Sequence, residues 1–358
     1  MKNRFFIAAG GTGGHILPAL AIYYKLVSQL DFVKFICRKK DTSLINELNN
    51  IEQNLLFLNA IGFKRKFSYK NIIAGYWVVL NIIKSFYWFI KFKPEVVIGM
   101  GGYITFPVLL WASILKKNIF LFEQNSIPGM VNKLFYKKAD AVFVNFEYTK
   151  KFIPEAILVN NPIRKSISKK ISEKEAYKFF GFKNKLPVIM IAGGSQGAKI
   201  INSSVAEIIN KLVENFNVIW ITGRNMIDDY SKFGKLKNLF IEGFLENMNY
   251  AYSIADLVIS RAGSMSVTEM CYFEVPAILI PLKIATANHQ YFNAKSLSDR
   301  GAAVIIEEKF LTSKILFDKI NDLFKTGKIK SMKMKIKDSY IKNSDEIILQ
   351  EIKRRIEK

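Results

Sequence analysis

The chain has 358 residues, half of them hydrophobic, and a formal net charge of +23. This length and composition predict a folded protein of two ordinary domains and exclude a disordered chain. The excess of basic residues favours an anionic partner, namely nucleic acid, an acidic membrane surface or a phosphorylated substrate, although genomic base bias can produce the same excess.

Two cysteines, Cys37 and Cys271, lie far apart in or beside apolar segments. This usage is typical of small core residues and argues against a disulfide framework or a structural zinc site. The first apolar run follows "MKNR" directly and stops at glycines without a cleavage site. We therefore expect no signal peptide and a cytoplasmic protein.

Short apolar runs bounded by glycine, proline or asparagine predict buried parallel strands. The first half contains "RFFIAA", "VKFIC", "EVVIGM", "NIFLFEQN", "AVFVN" and "AILVN". The second half repeats the pattern with "PVIMIAGG", "NVIWITG", "NLFIEGF", "LVISRAG" and "PAILIPL". Helical periodicity lies between the runs, for example over residues 16–29 and 199–214. This alternation predicts two doubly wound α/β domains.

The domain join is expected within "NNPIRKSISKK", residues 160–170, where apolar periodicity gives way to basic polar residues. We therefore predict an N-terminal domain over residues 1–162 and a C-terminal domain over residues 163–340. The remaining stretch, 341–358, includes the amphipathic pattern "DEIILQEIKRRIEK". It is expected to form a helix that packs back on the N-terminal domain.

Four glycine-rich turns follow predicted strands, with the sequences "GGTGG", "GMGGYITFP", "GGSQGAK" and "SRAGSMSVTEM". Glycine lets the backbone approach an anion, and the following helix directs N–H groups and the positive end of its dipole at the charge. Neither common nucleotide loop is present. Ile16 stands where a dinucleotide fingerprint needs glycine, "VKFICRKK" ends without an acidic residue, and Gly-Lys-Ser/Thr is absent. Four such turns favour phosphate binding by both domains.

Residues 72–90, "IIAGYWVVLNIIKSFYWFI", are apolar apart from Asn81 and Lys84 and are long enough to cross a bilayer. Lys84 alone would cost about 2.5–3.5 kcal/mol near the bilayer centre, and a crossing would separate strands of one sheet. The basic flanks and aromatic residues favour a helix lying in the interface of an anionic membrane. A buried core helix is the alternative. The residues expected to contact the membrane are Tyr76, Trp77 and Trp88.

In order and spacing, "GGTGGHILPA", "GGY", "EQNSIPGMVN", "NPIR", "GGSQGA", "RAGSMSVTE" and "NHQYFNA" resemble the motifs of the MurG family. This family comprises the bacterial N-acetylglucosaminyltransferases that convert lipid I to lipid II. The resemblance covers residues 5 to 305. It implies a GT-B fold, in which two Rossmann-like domains face a cleft. It also implies inverting transfer of GlcNAc from UDP-GlcNAc to the 4-hydroxyl of the MurNAc-pentapeptide of lipid I.

The resemblance also implies roles for individual residues. The C-terminal domain would bind UDP-GlcNAc, with Arg164 and Ser195 at the diphosphate, Glu269 at the ribose, Leu245 at the uracil, and Gln290 and His289 at the sugar. The turn that precedes Glu269 belongs to the same donor site and contains Ser264, Met265, Ser266, Val267 and Thr268. The N-terminal domain would reach the donor sugar with Thr12, Gly13, Gly14 and Asn125. Its acceptor or phosphate loop would contain Gly101, Gly102 and Tyr103.

His15, one of only two histidines, directly follows the first glycine turn. The acceptor hydroxyl must lose its proton as it attacks the anomeric carbon, and a neutral imidazole has a suitable pKa for a general base. Such a base contributes roughly 10²–10⁴-fold in rate. We therefore predict that His15 is catalytic; binding of the acceptor diphosphate and a structural role in the loop are the alternatives.

The metal-binding Asp-x-Asp motif of GT-A transferases is absent, so no metal ion is obligatory, and no cofactor is expected. The partners implied are UDP-GlcNAc, undecaprenyl-pyrophosphoryl-MurNAc-pentapeptide, the anionic cytoplasmic face of the membrane and other cell-wall synthesis proteins. Nucleic acid is not expected, because the sequence has no recognition helix or RNA-stacking motif. The rival enzymes are other GT-B proteins, such as a UDP-sugar transferase acting on diacylglycerol or a UDP-GlcNAc epimerase.

Overall fold

The computed structural model describes residues 3–11, 13–30, 32–44, 51–59, 69–163, 167–194, 196–283, 285 and 288–357. The chain divides into two compact units. Unit 1 contains Met1–Arg164 and Lys342–Lys358, and unit 2 contains Lys165–Ile341. Each unit has its own parallel β-sheet and its own hydrophobic core.

Seven strands in the described part of unit 1 pair in parallel in the order β3-β2-β1-β4-β5-β6-β7. They are β1 (Phe5–Ala8), β2 (Val33–Cys37), β3 (Leu55–Phe57), β4 (Val96–Gly99), β5 (Asn118–Glu123), β6 (Ala141–Val144) and β7 (Ile157–Leu158). The helices between them are α1 (Gly13–Val27), α2 (Tyr69–Phe92), α3 (Phe106–Ile114) and α4 (Met130–Phe135). Because side chains alternate along a strand, Phe5 and Phe6 enter separate cores on the two faces of the sheet.

The sheet of unit 2 pairs in parallel in the order β10-β9-β8-β11-β12-β13. Its strands are β8 (Val188–Ala192), β9 (Asn217–Ile221), β10 (Leu239–Glu242), β11 (Leu257–Ser260), β12 (Ala277–Leu279) and β13 (Ala303–Ile305). Its helices are α5 (Glu173–Phe180), α6 (Lys199–Ala206), α7 (Ile209–Leu212), α8 (Ile227–Tyr230), α9 (Met248–Ile254), α10 (Ser264–Phe273), α11 (His289–Ser298), α12 (Ser313–Lys325) and α13 (Lys328–Ile336).

The order of strands reverses once in each sheet, between β1 and β4 in unit 1 and between β8 and β11 in unit 2. At such a point the loops that leave the carboxyl ends of neighbouring strands turn to opposite faces and leave room for a ligand. All four glycine-rich turns of the sequence follow these four strands. The fold therefore brings the turns together in pairs, one pair in each unit.

Each apolar run that predicts a strand contains one, and the predicted two-sheet α/β architecture is confirmed. Two edge strands, β3 and β13, are absent from the prediction, because each has only three residues and is mostly half-buried. The single helix predicted over 199–214 is wrong: α6 ends at Ala206 and α7 begins at Ile209.

The chain returns to unit 1 after unit 2 and forms α14 (Ser344–Ile356). Ile348, Leu349 and Ile352 are buried in the same core as α1. At the helix surface, Lys25 Nζ lies 2.9 Å from Glu346 Oε1. Residues far apart in the sequence therefore complete one core.

Replacing Ile348, which is fully buried, with alanine should remove about 2–5 kcal/mol from the free energy of unfolding, because a buried aliphatic side chain leaves a cavity. The matched change at exposed Gln350 on the same helix should stay within about 0.5 kcal/mol. Urea denaturation of both variants measures the difference. Equal effects would show that α14 does not belong to the core.

Candidate active site

The turn between β1 and α1 presents the start of a helix at the carboxyl edge of the unit 1 sheet. Gly13, Gly14 and His15 form the first turn of α1, where backbone N–H groups have no partner inside the helix. No acidic residue lies in this first turn. The arrangement therefore suits an anion near the helix start.

An acidic residue, Asp41, directly follows the segment "VKFICRKK". Asp41 is buried, and its Oδ2 accepts a hydrogen bond from Gly11 N–H at 3.3 Å. Arg38 donates to the same carboxylate through Nε at 2.8 Å and through Nη2 at 2.5 Å. Asp41 thus fastens the glycine turn, and the Arg38 guanidinium balances its charge.

The imidazole of His15 lies against the turn that follows β4. A Cβ atom built on Gly101 would lie 3.5 Å from His15 Nε2, and one built on Gly102 would lie 3.9 Å from His15 Cε1. Gly102 has φ +83°, and its added Cβ would come within 2.7 Å of Gly10 O, so this close contact requires glycine. Tyr103, 38% exposed, follows directly. The structure brings together four residues predicted from separate motifs.

A buried carboxylate lies on the other side of the same turn. Glu123, at the end of β5, accepts hydrogen bonds from Asn125 N–H at 3.0 Å, Gly129 N–H at 2.9 Å and Asn132 Nδ2 at 2.8 Å. Asn132 Nδ2 would also lie 3.5 Å from a Cβ on Gly101. Burial raises the pKa of Glu123 above its ordinary value, although the hydrogen bonds from Asn125, Gly129 and Asn132 oppose the shift. Glu123 therefore connects the Asn125 loop to the turn beneath His15.

Because the pKa of Glu123 is raised in the folded chain, its stabilising contribution is complete below the unfolded pKa and is lost as pH rises through the folded pKa. Wild type should therefore lose stability relative to Glu123→Gln from about pH 4.5 upward, by at most about 1.4 kcal/mol per pH unit. Urea denaturation between pH 4 and 8 measures this difference, and a difference independent of pH would contradict it.

Two glycine turns form the corresponding edge of unit 2. Gly197 has φ +73°, and an added Cβ would lie 2.1 Å from Thr222 O, so the turn after β8 packs too closely for a side chain. The turn after β11 leads into α10, where Ser264, Met265 and Ser266 occupy the first turn. Val267 is the first residue whose N–H bonds back, to Gly263 O at 3.0 Å. The start of α10 can therefore receive an anion.

The side chains of "SMSVTE" differ in what they can contact. Val267 is fully buried, and Thr268 Oγ1 donates to Ser264 O at 2.8 Å, so both side chains serve the fold of α10. Any contact of these two residues with a ligand would therefore be made by their backbone. Glu269 is 5% exposed, and its Oε2 accepts a hydrogen bond from Tyr252 at 3.1 Å.

Other predicted donor residues lie around the same edge of unit 2. Gln290 is half-buried near the start of α11, and its Oε1 accepts from Leu282 N–H at 3.0 Å. His289 is half-buried beside it. Leu245 is buried, with 7% of its surface exposed. Asn293, from the same motif as Gln290, donates to Ala262 O at 3.2 Å and so links α11 to the turn before α10.

Three predicted site residues, Thr12, Arg164 and Ser195, lie outside the described residues. Within the part of the chain that the structure describes, no three His, Cys, Asp or Glu side chains lie together as metal ligands would.

Cys37 is fully buried, and burial raises the pKa of its thiol to about 12.

The apolar segment predicted to meet a membrane lies within α2. Over the described residues, Ile72–Phe92 is the one helix that is long and apolar enough to cross a bilayer by length and composition. Its inner face is nevertheless packed: Trp88 and Phe89 are buried in the core, and Asn81 accepts a hydrogen bond from Asn59 N–H at 3.3 Å. Trp88 therefore cannot be a membrane contact, which corrects that prediction. Tyr76 is 60% exposed, and Trp77 is half-buried.

Three residues that organise these sites were not predicted from the sequence: Asp41, Glu123 and Tyr252. Glu123 carried a signal, since a single carboxylate ends the otherwise apolar strand "NIFLFE". Asp41 and Tyr252 carried none, because the residues that they fix in these sites, Gly11 and Glu269, lie 30 and 17 positions away in the chain.

Comparison with known families defines the class of protein. The glycosyltransferase family 28 N-terminal domain matches residues 5–144, and the family 28 C-terminal domain matches residues 188–349. With two Rossmann-like units, the fold is that of a GT-B glycosyltransferase.

Full-length relatives narrow the class. The UDP-N-acetylglucosamine–N-acetylmuramyl-(pentapeptide) pyrophosphoryl-undecaprenol N-acetylglucosamine transferase of Flavobacterium psychrophilum is 34% identical, covering 99% of this chain and 98% of that protein. The enzyme of the same name from Acetivibrio thermocellus is 36% identical, covering 98% and 97%. The crystal structure of Acinetobacter baumannii MurG matches with a TM-score of 0.78 and 27% identity, over 99% of this chain and all of that one. The chain belongs to the MurG family.

The fold is also shared more widely. A putative UDP-N-acetylglucosamine 2-epimerase from Listeria monocytogenes matches with a TM-score of 0.68 over the whole chain and 97% of its own length, at 13% identity. At that identity the likeness concerns the fold alone.

Proposed function

We propose that the chain transfers GlcNAc from UDP-GlcNAc to the 4-hydroxyl of MurNAc in undecaprenyl-pyrophosphoryl-MurNAc-pentapeptide, converting lipid I to lipid II for peptidoglycan synthesis. The observation that carries the proposal is identity of 34–36% over nearly the whole chain with relatives whose names specify this sugar and this lipid-linked acceptor. The geometry of the two units supports it, since each presents helix starts suited to phosphate groups.

Unit 2 would bind the donor. The N–H groups of Ser264, Met265 and Ser266 at the start of α10 suit the diphosphate, and the Glu269 carboxylate suits the ribose diol. Leu245 would pack against uracil, and Gln290 would hold the sugar. Arg164 and Ser195 are assigned to the diphosphate by the sequence motifs alone.

Unit 1 would bind the acceptor and activate it. The acceptor oxygen attacks the anomeric carbon as the bond from that carbon to the UDP oxygen breaks, and the electron pair leaves with UDP. His15 would take the hydroxyl proton. Its contact with Gly101 and Gly102 holds the ring beside the start of α1, where the acceptor diphosphate can also bind. The two roles of His15, as general base and as ligand of the acceptor diphosphate, predict different kinetics.

Release of UDP from UDP-GlcNAc, measured in EDTA with and without a lipid I analogue, tests the reaction. We expect release to require the acceptor, to continue in EDTA and to fall about 10²–10⁴-fold in His15→Ala. If His15 is the base, kcat falls while KM for the acceptor is unchanged; if it binds the diphosphate, KM rises. UDP release at the same rate with and without the lipid I analogue would overturn the lipid I proposal and favour a hydrolase or epimerase.

The outer face of α2 supports a peripheral position on the membrane. Tyr76, Val79 and Ile83 are each more than half exposed and succeed one another at helical spacing, opposite the packed inner face. Lys84 and Lys91 lie beside the aromatic rings of the same helix. An apolar face with cationic neighbours suits the interface of an anionic membrane. We infer attachment to the cytoplasmic face, where a polyprenyl-linked acceptor can be reached.

Ile83→Glu should weaken binding to vesicles that contain phosphatidylglycerol by about ten- to hundredfold, the cost of withholding one buried aliphatic side chain. Met334→Glu provides a matched control, because Met334 is 72% exposed on α13 of unit 2 and the change in charge is the same. Co-sedimentation measures both. Equal losses in the two variants would attribute binding to net charge and contradict the α2 surface.

A further inference from the structure

The Tyr252 side chain connects α9 to the predicted ribose ligand on α10. Its hydroxyl lies 3.1 Å from Glu269 Oε2, and the two residues are 3% and 5% exposed. The hydroxyl donates, and the carboxylate oxygen accepts. A hydrogen bond to a buried charge is stronger than one between neutral groups, and it fixes the direction in which the carboxylate points.

The tyrosine ring is itself held in place. Phe273, the last residue of α10, stacks on it with ring centroids 5.2 Å apart and an interplanar angle of 15°. The hydroxyl therefore reaches Glu269 from a ring that α10 itself packs against. The Tyr252 ring has little freedom to turn away from the Glu269 carboxylate, because α9 and α10 pack against each other.

Two further side chains of α9, Asn249 and Ser253, also hold the helix in place. Asn249 Nδ2 donates to Lys169 O at 3.0 Å, and Ser253 Oγ accepts from Ile171 N–H at 2.9 Å. These two bonds tie α9 to the segment that enters unit 2 after the domain join. The segment leading into α9 also carries Leu245, assigned to uracil above. One short stretch of chain thus contributes to the positions of both the base and the ribose contacts.

We propose that Tyr252 is a positioning residue for the nucleotide: it holds the Glu269 carboxylate in the orientation that accepts hydrogen bonds from the ribose hydroxyls. The inference rests on the proposed function, in which unit 2 binds UDP-GlcNAc. It assigns to Tyr252 part of the preference for a ribonucleotide over a 2′-deoxyribonucleotide. A tyrosine that only filled the core would affect both nucleotides equally.

Calorimetric titration with UDP and with 2′-deoxy-UDP tests this role. Tyr252→Phe keeps the stacked ring and removes only the hydroxyl. We expect it to weaken UDP binding by about tenfold, the size of one hydrogen bond to a charged group, and to weaken 2′-deoxy-UDP binding much less. Tyr250→Phe is the matched control, because Tyr250 lies two positions earlier on α9 and its hydroxyl contacts Glu175 at 2.7 Å on the surface. It should leave both affinities unchanged.

A second measurement tests the inference without relying on the Tyr252→Phe variant alone. In a Glu269→Gln background the ribose preference is already lost, so adding Tyr252→Phe should change the ratio of the two affinities no further. An unchanged ratio of the two affinities in the single Tyr252→Phe variant, or a further change of that ratio in the double variant, would overturn the inference without contradicting UDP binding by the wild type. If the wild-type chain binds neither nucleotide, the proposed function itself fails, and the inference fails with it.

Discussion

Parallel pairing of β1 with β4 and of β8 with β11 is the constraint on which both candidate sites depend. Strands that run in the same direction end at the same edge of a sheet, and the helices that follow them begin there. Without a side chain, the backbone of each glycine turn can pack against its neighbour, as Gly102 does against Gly10 O. In unit 1 this edge places the start of α1 and His15. In unit 2 the corresponding edge places the start of α10, the helix that carries Glu269.

The architecture was predictable because its signal is local. Apolar runs such as "VIMIA" of β8 are buried on both faces, and their length and flanking glycines identify them without knowledge of the partner strands. The glycine turns could also be located from the sequence, because each turn is identified by adjacent residues alone. The edge strand β3 escaped, since its three half-buried residues carry no pattern that distinguishes them from a loop.

Two supporting side chains, Asp41 and Tyr252, were not predictable, because each acts on a residue that is distant in the sequence. Asp41 gains its function from Gly11 and Arg38, and Tyr252 from Glu269 on the next helix. The error at Trp88 is of the opposite kind, because a side chain predicted to contact the membrane is buried. The neighbouring Tyr87 is aromatic and 55% exposed, yet Trp88 lies with Phe89 in the core. The composition of α2 identifies it as an apolar helix. Only the packing in the structure shows which of its residues face the core and which are exposed.

The position of α14 has a consequence for the order in which the protein is made. Unit 2 is one continuous stretch of chain, whereas the core of unit 1 includes Ile348, Leu349 and Ile352, which are synthesised after all of unit 2. Domains generally fold as units during synthesis. Unit 2 therefore draws its whole core from one continuous segment, whereas unit 1, although its synthesis begins first, cannot complete its core until α14 has been made. During that interval the apolar surface of α1 that α14 covers is exposed to solvent.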